Sequence, residues 1–248
     1  IFHFLNITRI KKMDETLRSH FMKVSTATLC TALYKRGLRN QFIQNVHPLR
    51  QRKINMVGPA FTLRYIPARE DLNDISVFQN PEHPQRAAVE QCPNGAVMMI
   101  DSRKDARAAS AGSILVTRLM VRGCAGIVTD GGLRDAPEIA ALDIPSYHQR
   151  PSAPTNLTLH QALEFDIPIG CGDVAVWPGD IIVGDDEGVV VVPRDIAPEI
   201  AHEAIEMTAF EDFVTERVRA GHSIIGLYPP TQQENKDAFS KWRAEHNR

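Results

Sequence analysis

Near the start of the chain, apolar positions recur four residues apart. Leu17 and Phe21 do so within residues 13–22, and Leu29 and Leu33 within residues 26–36. This spacing predicts two short helices that pack as a pair, the second capped by Ser25 and ended by Gly37. Residues 45–51 read as irregular. Over residues 57–65 the pattern changes to an apolar run with a Gly-Pro entry, which predicts a strand. Residues 67–74 and 80–84 read as loops, residues 86–91 as a short helix, residues 95–101 as a buried strand ending in Asp101, and residues 102–108 as a charged crossover. Residues 110–138 organise the rest. They open with a small-residue loop at 110–113. A helical run at 114–121 follows, closed by Gly123, and then a buried strand at 125–129. The strand breaks into Asp130-Gly131-Gly132, and Leu133-Arg134-Asp135 stands at the mouth of a helix that runs to Leu142.

Short strands are expected at 144–148, 167–169 and 174–176, with an exposed loop at 150–155. A hairpin pairs 181–183 with 189–192 around the turn 184–188. Ile196, Ile200, Ala204, Met207, Phe210, Val214 and Val218 keep helical spacing through a long helix from Asp195 to about residue 220, ended by Gly221. The polar tail reads as helical, with Trp242 as an anchor for docking on another subunit. Alternating helices and strands predict an α/β fold. We expect a single domain over residues 1–248, with a core at about 25–220, an N-terminal helical pair and a C-terminal helical extension at 221–248.

Composition narrows the function. The chain has 248 residues, 43% of them apolar, which is ample for a core. A formal net charge of −2 supplies no basic field, so no nucleic-acid partner is expected. Cys30, Cys92, Cys124 and Cys171 form no CxxC pair, which argues against a zinc ribbon and against thioredoxin chemistry. Cys124 reads as a buried free thiol. A cytoplasmic, reducing compartment fits this usage. No apolar run reaches the length of a membrane span, so no membrane partner is expected. Ile1 to Leu5 reads as too short for a signal peptide and lacks a basic leader.

The candidate chemistry lies at the two ends of the central helix–strand unit, because ligands of α/β folds bind where strands end and helices begin. A helix start at Gly112-Ser113 leaves free N–H groups for a carboxylate or phosphate, unless Ser110 or Ser113 merely caps it. Arg134 suits a bidentate grip on a carboxylate. Asp135 offers a hard oxygen to Mg²⁺ or Mn²⁺, and Glu138 falls on the same helical face, where it can hold a coordinated water. The plainer alternative is a capping box formed by Asp135 and Glu138. The pattern recurs at Arg194-Asp195 with Glu199, where it reads as structural. Glycines before Arg134 would let a ligand approach the backbone.

Gly112-Ser113-Ile114-Leu115, joined to residues 123–135 (GCAGIVTDGGLRD), resembles the RraA-like family, and more narrowly its class II 4-hydroxy-4-methyl-2-oxoglutarate aldolases. Residues 57–62, 177–183 and 188–193 also match strands of that family, and the resemblance covers about residues 25–220. It implies a swivelling β/β/α domain and a metal-dependent pyruvate aldolase with oxaloacetate decarboxylase activity. The assembly implied is a homotrimer or homohexamer with sites between subunits. By the same resemblance, Gly112, Ser113, Ile114 and Leu115 would bind the pyruvate carboxylate and carbonyl region through backbone amides. Arg134 would grip the small 2-oxo acid substrate, Asp135 would hold Mg²⁺ or Mn²⁺, and Glu138 would complete the acid pattern of the catalytic members as a second-shell metal residue. Many relatives carry Asp or Glu where this chain has Ser113. The alternatives are a non-catalytic regulator that docks on an RNA-degrading enzyme, and a catabolic enzyme acting on another 2-oxo acid.

A metal route stabilises the pyruvate enolate left by aldol cleavage or decarboxylation. The rival Schiff-base route needs a desolvated lysine, and Lys104, set among Arg103, Asp105 and Arg107, reads as solvated. Asp130 is expected to support the glycine turn or to orient Arg134, Asp101 to end its strand either behind the site or at its polar rim, and His148 to be a plain strand-end histidine rather than a cleft-lining one. His202-Glu203 reads as a surface pair, and residues 185–187 as a solvated turn.

Overall fold

The computed structural model describes residues 13–248. The reading of Ile1 to Leu5 therefore lies outside the described residues. The helices are α1 (Glu15–Phe21), α2 (Thr26–Lys35), α3 (Pro84–Gln91), α4 (Ser113–Val121), α5 (Ala136–Ala141), α6 (Ala197–Arg219) and α7 (Gln233–His246). The strands begin with β1 (His47–Pro48), β2 (Met56–Pro67), β3 (Val97–Asp101), β4 (Ala109–Ala111), β5 (Gly126–Thr129), β6 (Gly132–Leu133) and β7 (Ser146–His148). They continue with β8 (Arg150–Pro151), β9 (His160–Phe165), β10 (Ile169–Cys171), β11 (Val174–Val176), β12 (Ile181–Gly184) and β13 (Val189–Val192).

The main sheet runs β1-β7-β5-β3-β2-β12-β13, with β9 also paired to β2. Its centre is parallel: β2 with β3, β3 with β5, and β5 with β7. The hairpin β12–β13 joins β2 antiparallel. A parallel sheet needs crossovers that cover its faces. Here α3, α4 and α5 pack on one face, where Met98, Ile100, Val116, Leu119, Ile127 and Ile139 form one buried cluster. The two-residue period of a strand sends Val97 and Met99 to the opposite face, against Val128, Ile182, Val189 and Val191. The same alternation turns Val190 and Val192 toward α1, α2 and α6. Each large aliphatic side chain buried this way contributes about 1.5–3 kcal/mol relative to exposure.

The chain is thus α/β, with an N-terminal helical pair and a C-terminal helical extension. Ser25 caps α2 by accepting from the Thr28 N–H at 3.1 Å, and Gly37 takes φ +82° past its end. The segment read as irregular contains β1, which pairs with β7. β9 has no counterpart among the sequence expectations. Nor do the three parallel strands β4-β6-β8. Strands of two or three residues are too short to show a period, and Ser110 and Gly132 carry no apolar signature. The long helix begins at Ala197 rather than Asp195, after a 3₁₀ turn over Arg194–Ile196.

Trp242 does not stand free as an anchor. Its ring packs on Phe213 and Phe239 of its own chain, and its indole N–H donates to Glu216 at 2.7 Å. The turn at 185–187 is partly structural, because Asp185 accepts from both the N–H (2.7 Å) and the hydroxyl (2.9 Å) of Thr26 at the start of α2. Among the described residues, no helix is long and apolar enough to cross a membrane.

Candidate functional site

The three-stranded sheet continues the chain past the C-terminal ends of the central strands. β4 and β6 pair in parallel, Ala109 beside Gly132 and Ala111 beside Leu133, and the Arg134 N–H donates to the Ala111 carbonyl at 3.1 Å. This pairing sets the loop at Gly112 against Arg134 and Asp135, which lie more than twenty positions along the chain. Buried hydroxyls hold the joint. Ser110 Oγ lies 2.6 Å from both Ser102 Oγ and Thr129 Oγ1, and the Ser110 carbonyl accepts from Tyr65 Oη (2.7 Å) and Gln85 Nε2 (2.9 Å).

Asp135 precedes α5 in a left-handed conformation, φ 55° and ψ 40°, which Asp tolerates better than most residues. Its side chain does not cap α5. The capping-box expectation is overturned here, because the carboxylate turns across to α4. There Oδ2 accepts from the Ser113 N–H (3.1 Å) and the Ser113 hydroxyl (3.2 Å). Arg134 Nε stands 3.6 Å from Oδ1. The bond from the Ser113 N–H, followed by the Arg134 charge, holds the Asp135 carboxyl below its ordinary range, so it is ionised at neutral pH.

The start of α4 is indeed without a side-chain cap, and Gly112 occupies the cap position. The anion it meets is the chain's own. The Ser113 amide is taken by Asp135, and the Leu115 amide donates to the Gly112 carbonyl at 3.1 Å. Two of the backbone amides expected to face a ligand are therefore already bonded.

Gly112 is needed for space, not for φ. A Cβ there would come 2.8 Å from Asp135 Oδ2 and 2.9 Å from Arg134 Cγ. The glycines before Arg134 behave otherwise than expected. Gly131 and Gly132 are buried, and a Cβ on them would strike Ser102 Cβ at 2.6 Å and Ser152 Cβ at 2.5 Å. Their bareness lets strands and turns pack closely.

Gly112, Ile114, Leu115, Arg134 and Asp135 together line a cleft of about 410 Å³. Ile114 is 82% exposed at its rim. Glu138 is exposed on the first turn of α5 and lies outside the cleft wall. Ser113 reaches the site through its bonds to Asp135. The rest of the lining includes a segment with no sequence signal for function, Ile75, Phe78, Gln85 and Arg86, joined by Thr155 and Asn156. No local motif marks these residues, since only the tertiary fold brings a distant loop and the start of α3 over the central strands.

Asp130, expected to support the glycine turn or orient Arg134, does neither directly. It is fully buried and accepts from the N–H groups of Ser102 (2.6 Å), Gly172 (3.0 Å) and Lys104 (3.1 Å). Burial pushes its carboxyl up to about 6 against the pull of those donors. Asp101 accepts from the N–H groups of Arg103 (2.9 Å) and Gly170 (3.4 Å). His148 is buried on β7, and burial lowers its pKa. Lys104 Nζ lies 2.6 Å from Asp173 Oδ2, which raises the ammonium pKa. A Schiff-base lysine needs the opposite shift. His202 is exposed.

Among the described residues, no three His, Cys, Asp or Glu side chains converge to cage an ion. A lone ionised carboxylate at a cleft instead fits a hard divalent cation that keeps most of its waters and takes further oxygens from a ligand. Asp135 meets that description. Ser113, a donor to the same carboxylate, adds no charge to it.

The family described as RraA-like: Aldolase/RraA matches residues 26–191. A protein of Halalkalibacterium halodurans, proposed by its name to be a 4-hydroxy-4-methyl-2-oxoglutarate aldolase, is 29% identical over 199 residues, 80% of this chain and 86% of that protein. Streptomyces coelicolor RraAS2, described as an unusual member of the RNase ES inhibitor RraA protein family, is 30% identical and superposes with a TM-score of 0.72. That match covers 82% of this chain and 97% of RraAS2. An uncharacterised Pseudomonas syringae protein shares the fold at 21% identity, with a TM-score of 0.73 over 86% of this chain and 97% of its own.

Proposed function

Since the chain belongs to the RraA-like family, we propose that it is a divalent-metal-dependent lyase that cleaves a 4-hydroxy-2-oxo acid, or decarboxylates oxaloacetate, to give pyruvate. The observation that carries this reading is the joint presentation of an ionised Asp135 and a guanidinium, Arg134, at one cleft beside Gly112. The aldolase name of the Halalkalibacterium halodurans relative supports it.

Both reactions break a bond to C3 of the 2-oxo acid and leave its electron pair on the pyruvate fragment as an enolate. Asp135 would hold Mg²⁺ or Mn²⁺, and the bound ion supplies Lewis acidity toward the 2-oxo acid. Arg134, 44% exposed at the cleft, binds the substrate carboxylate through its planar fork and opposes the charge that develops on the enolate oxygen. Ser113 aims the Asp135 carboxylate with two donors, so that group need not reorganise during the reaction. Gly112 keeps the space in which Arg134 and Asp135 meet. We further propose a homotrimer or homohexamer, since the cleft opens at a rim where Ile114 and Ile75 are exposed by 82% and 76%.

The deciding experiment is pyruvate formation from oxaloacetate and from 4-hydroxy-4-methyl-2-oxoglutarate, with Mg²⁺ and then with EDTA, against a protein-free blank. Protein-dependent turnover that EDTA abolishes is the expected result. A second reading, a regulator that docks on an RNA-degrading enzyme, draws on the likeness to RraAS2. It is favoured if no substrate turns over above the blank with either metal.

Gly112→Ala is a local check. The new methyl must displace Arg134 or Asp135. Turnover is expected to fall on the order of 10- to 100-fold, the scale set by misplacing reacting groups by about an ångström. The thermal midpoint should move by only a few degrees, since φ at residue 112 is −122° and suits any residue. Near-native turnover would show that the pair is not needed in this geometry.

A further inference from the structure

One charged group in the cleft takes no part in the proposed lyase chemistry. Arg86, at the start of α3, lines the same cleft as Arg134 and Asp135. Its guanidinium carbon sits 4.4 Å from the centroid of the Phe78 ring. The side chain is half-buried and, among the described residues, makes no ion pair with a carboxylate. Stacking on an aromatic face holds a guanidinium in place through its π surface and leaves the in-plane N–H fork open. A fixed, partly desolvated fork without an acceptor is suited to a planar anion delivered by a ligand.

Charge counting agrees. The ionisable side chains of the cleft are Arg86, Arg134 and Asp135, a formal balance of +1 before any divalent ion is added. A monocarboxylic 2-oxo acid engages one guanidinium and leaves the other half-buried and unpaired. A 2-oxo acid with a second carboxylate satisfies both.

We infer that Arg86, held by Phe78, binds the distal carboxylate and makes the cleft selective for dicarboxylic 2-oxo acids. Arg86 is a specificity residue, and Phe78 positions it. The inference rests on the 2-oxo acid reading of this cleft, and its test is a binding measurement that does not require turnover.

The probes are 2-oxoglutarate and pyruvate, titrated calorimetrically into the full chain with Mg²⁺ present. The wild type is expected to bind 2-oxoglutarate more tightly. In Arg86→Gln, affinity for 2-oxoglutarate should fall roughly 10- to 100-fold, the range a lost charge-assisted hydrogen bond gives, so that the ratio of the two dissociation constants collapses toward one. Arg86→Lys, which keeps the charge but not the fork, should fall between the two. Phe78→Leu should lose part of the preference with Arg86 still present, which a purely electrostatic role would not produce. A wild type that binds neither probe, or shows no preference, overturns the inference. So does an Arg86→Gln variant that keeps the wild-type ratio. Oxaloacetate turnover by the wild type is scored separately, so a protein that prefers the dicarboxylate without cleaving any substrate would defeat the lyase reading and leave the assignment of Arg86 standing.

Discussion

Asp135→Asn is expected to lower metal-dependent pyruvate formation on the order of 10²- to 10³-fold or more, the cost of removing one preorganised charge from a reacting centre. Asparagine is the informative replacement. It tolerates the left-handed conformation seen at φ 55°, and its amide oxygen can still accept from the Ser113 N–H at the start of α4. The fold and the joint between β4 and β6 should therefore survive, with a thermal midpoint within a few degrees of the wild type. Only the negative charge is lost, and a neutral amide oxygen holds a hard divalent cation far more weakly than a carboxylate. Raising the Mg²⁺ concentration should recover part of the activity if the defect is ion affinity. Unchanged turnover would remove Asp135 from the mechanism. Alanine would confound the test, because it combines loss of the carboxylate with a strained backbone and an unpaired Ser113 amide.

Asp130→Ala is expected to produce the largest loss of stability. Its carboxylate accepts from three backbone N–H groups that tie the turn after β3 to the turn between β10 and β11. Each donor left without an acceptor costs about 1–3 kcal/mol where it is buried. Against this stands the cost of keeping a charge inside the protein. Burial raises the Asp130 carboxyl from 3.8 to about 6, so folding favours its protonated form. The stability linked to this group is fully present below about pH 4 and is lost as pH rises through about 6, a change of roughly 3 kcal/mol. Alanine removes that cost. The lost acceptors outweigh it, and the net destabilisation should be about 3 kcal/mol or more, a large share of the stability of an ordinary domain. It should be larger at pH 5 than at pH 7.5, because the wild type is itself stabilised at the lower pH. Urea unfolding at the two pH values checks the sign. A larger loss at pH 7.5 would mean that the three N–H donors, rather than burial, control this carboxyl.

These two aspartates separate what a linear reading reaches from what it does not. Asp135 stands out in the sequence because Arg-Asp-x-x-Glu follows a buried strand and a glycine turn, and the resemblance across residues 110–135 assigns it a role. Its capping alternative was equally legible, and only the structure decides against it, since the side chain leaves α5 for Ser113. Asp130 is marked in sequence by the glycine turn that follows it, but nothing local points to its actual partners. Its three donors come from residues 102, 104 and 172, brought together by the crossover from β3 and the β10–β11 hairpin. Arg86 and Phe78 were silent for the same reason. Their significance depends on lining one cleft with Arg134, and no periodicity encodes that.

The sequence by itself determined the elements that rest on local physics. The apolar runs of β2, β3, β5, β12 and β13, the 3.6-residue period of α6, the Ser25 cap and the Gly37 stop are each set within a few residues, so they are visible in a window of that size. It also determined the family and the chemical types gathered at Gly112, Arg134 and Asp135. Tertiary structure alone decided how those types are used. The parallel pairing of β4 with β6 rests on two or three residues per strand and on buried hydroxyls at Ser102, Ser110 and Thr129 that look polar in sequence. That pairing directs Asp135 to α4 and makes Gly112 a requirement of space. Contacts of this kind join residues distant along the chain, and their energy depends on burial and geometry that a one-dimensional pattern does not contain.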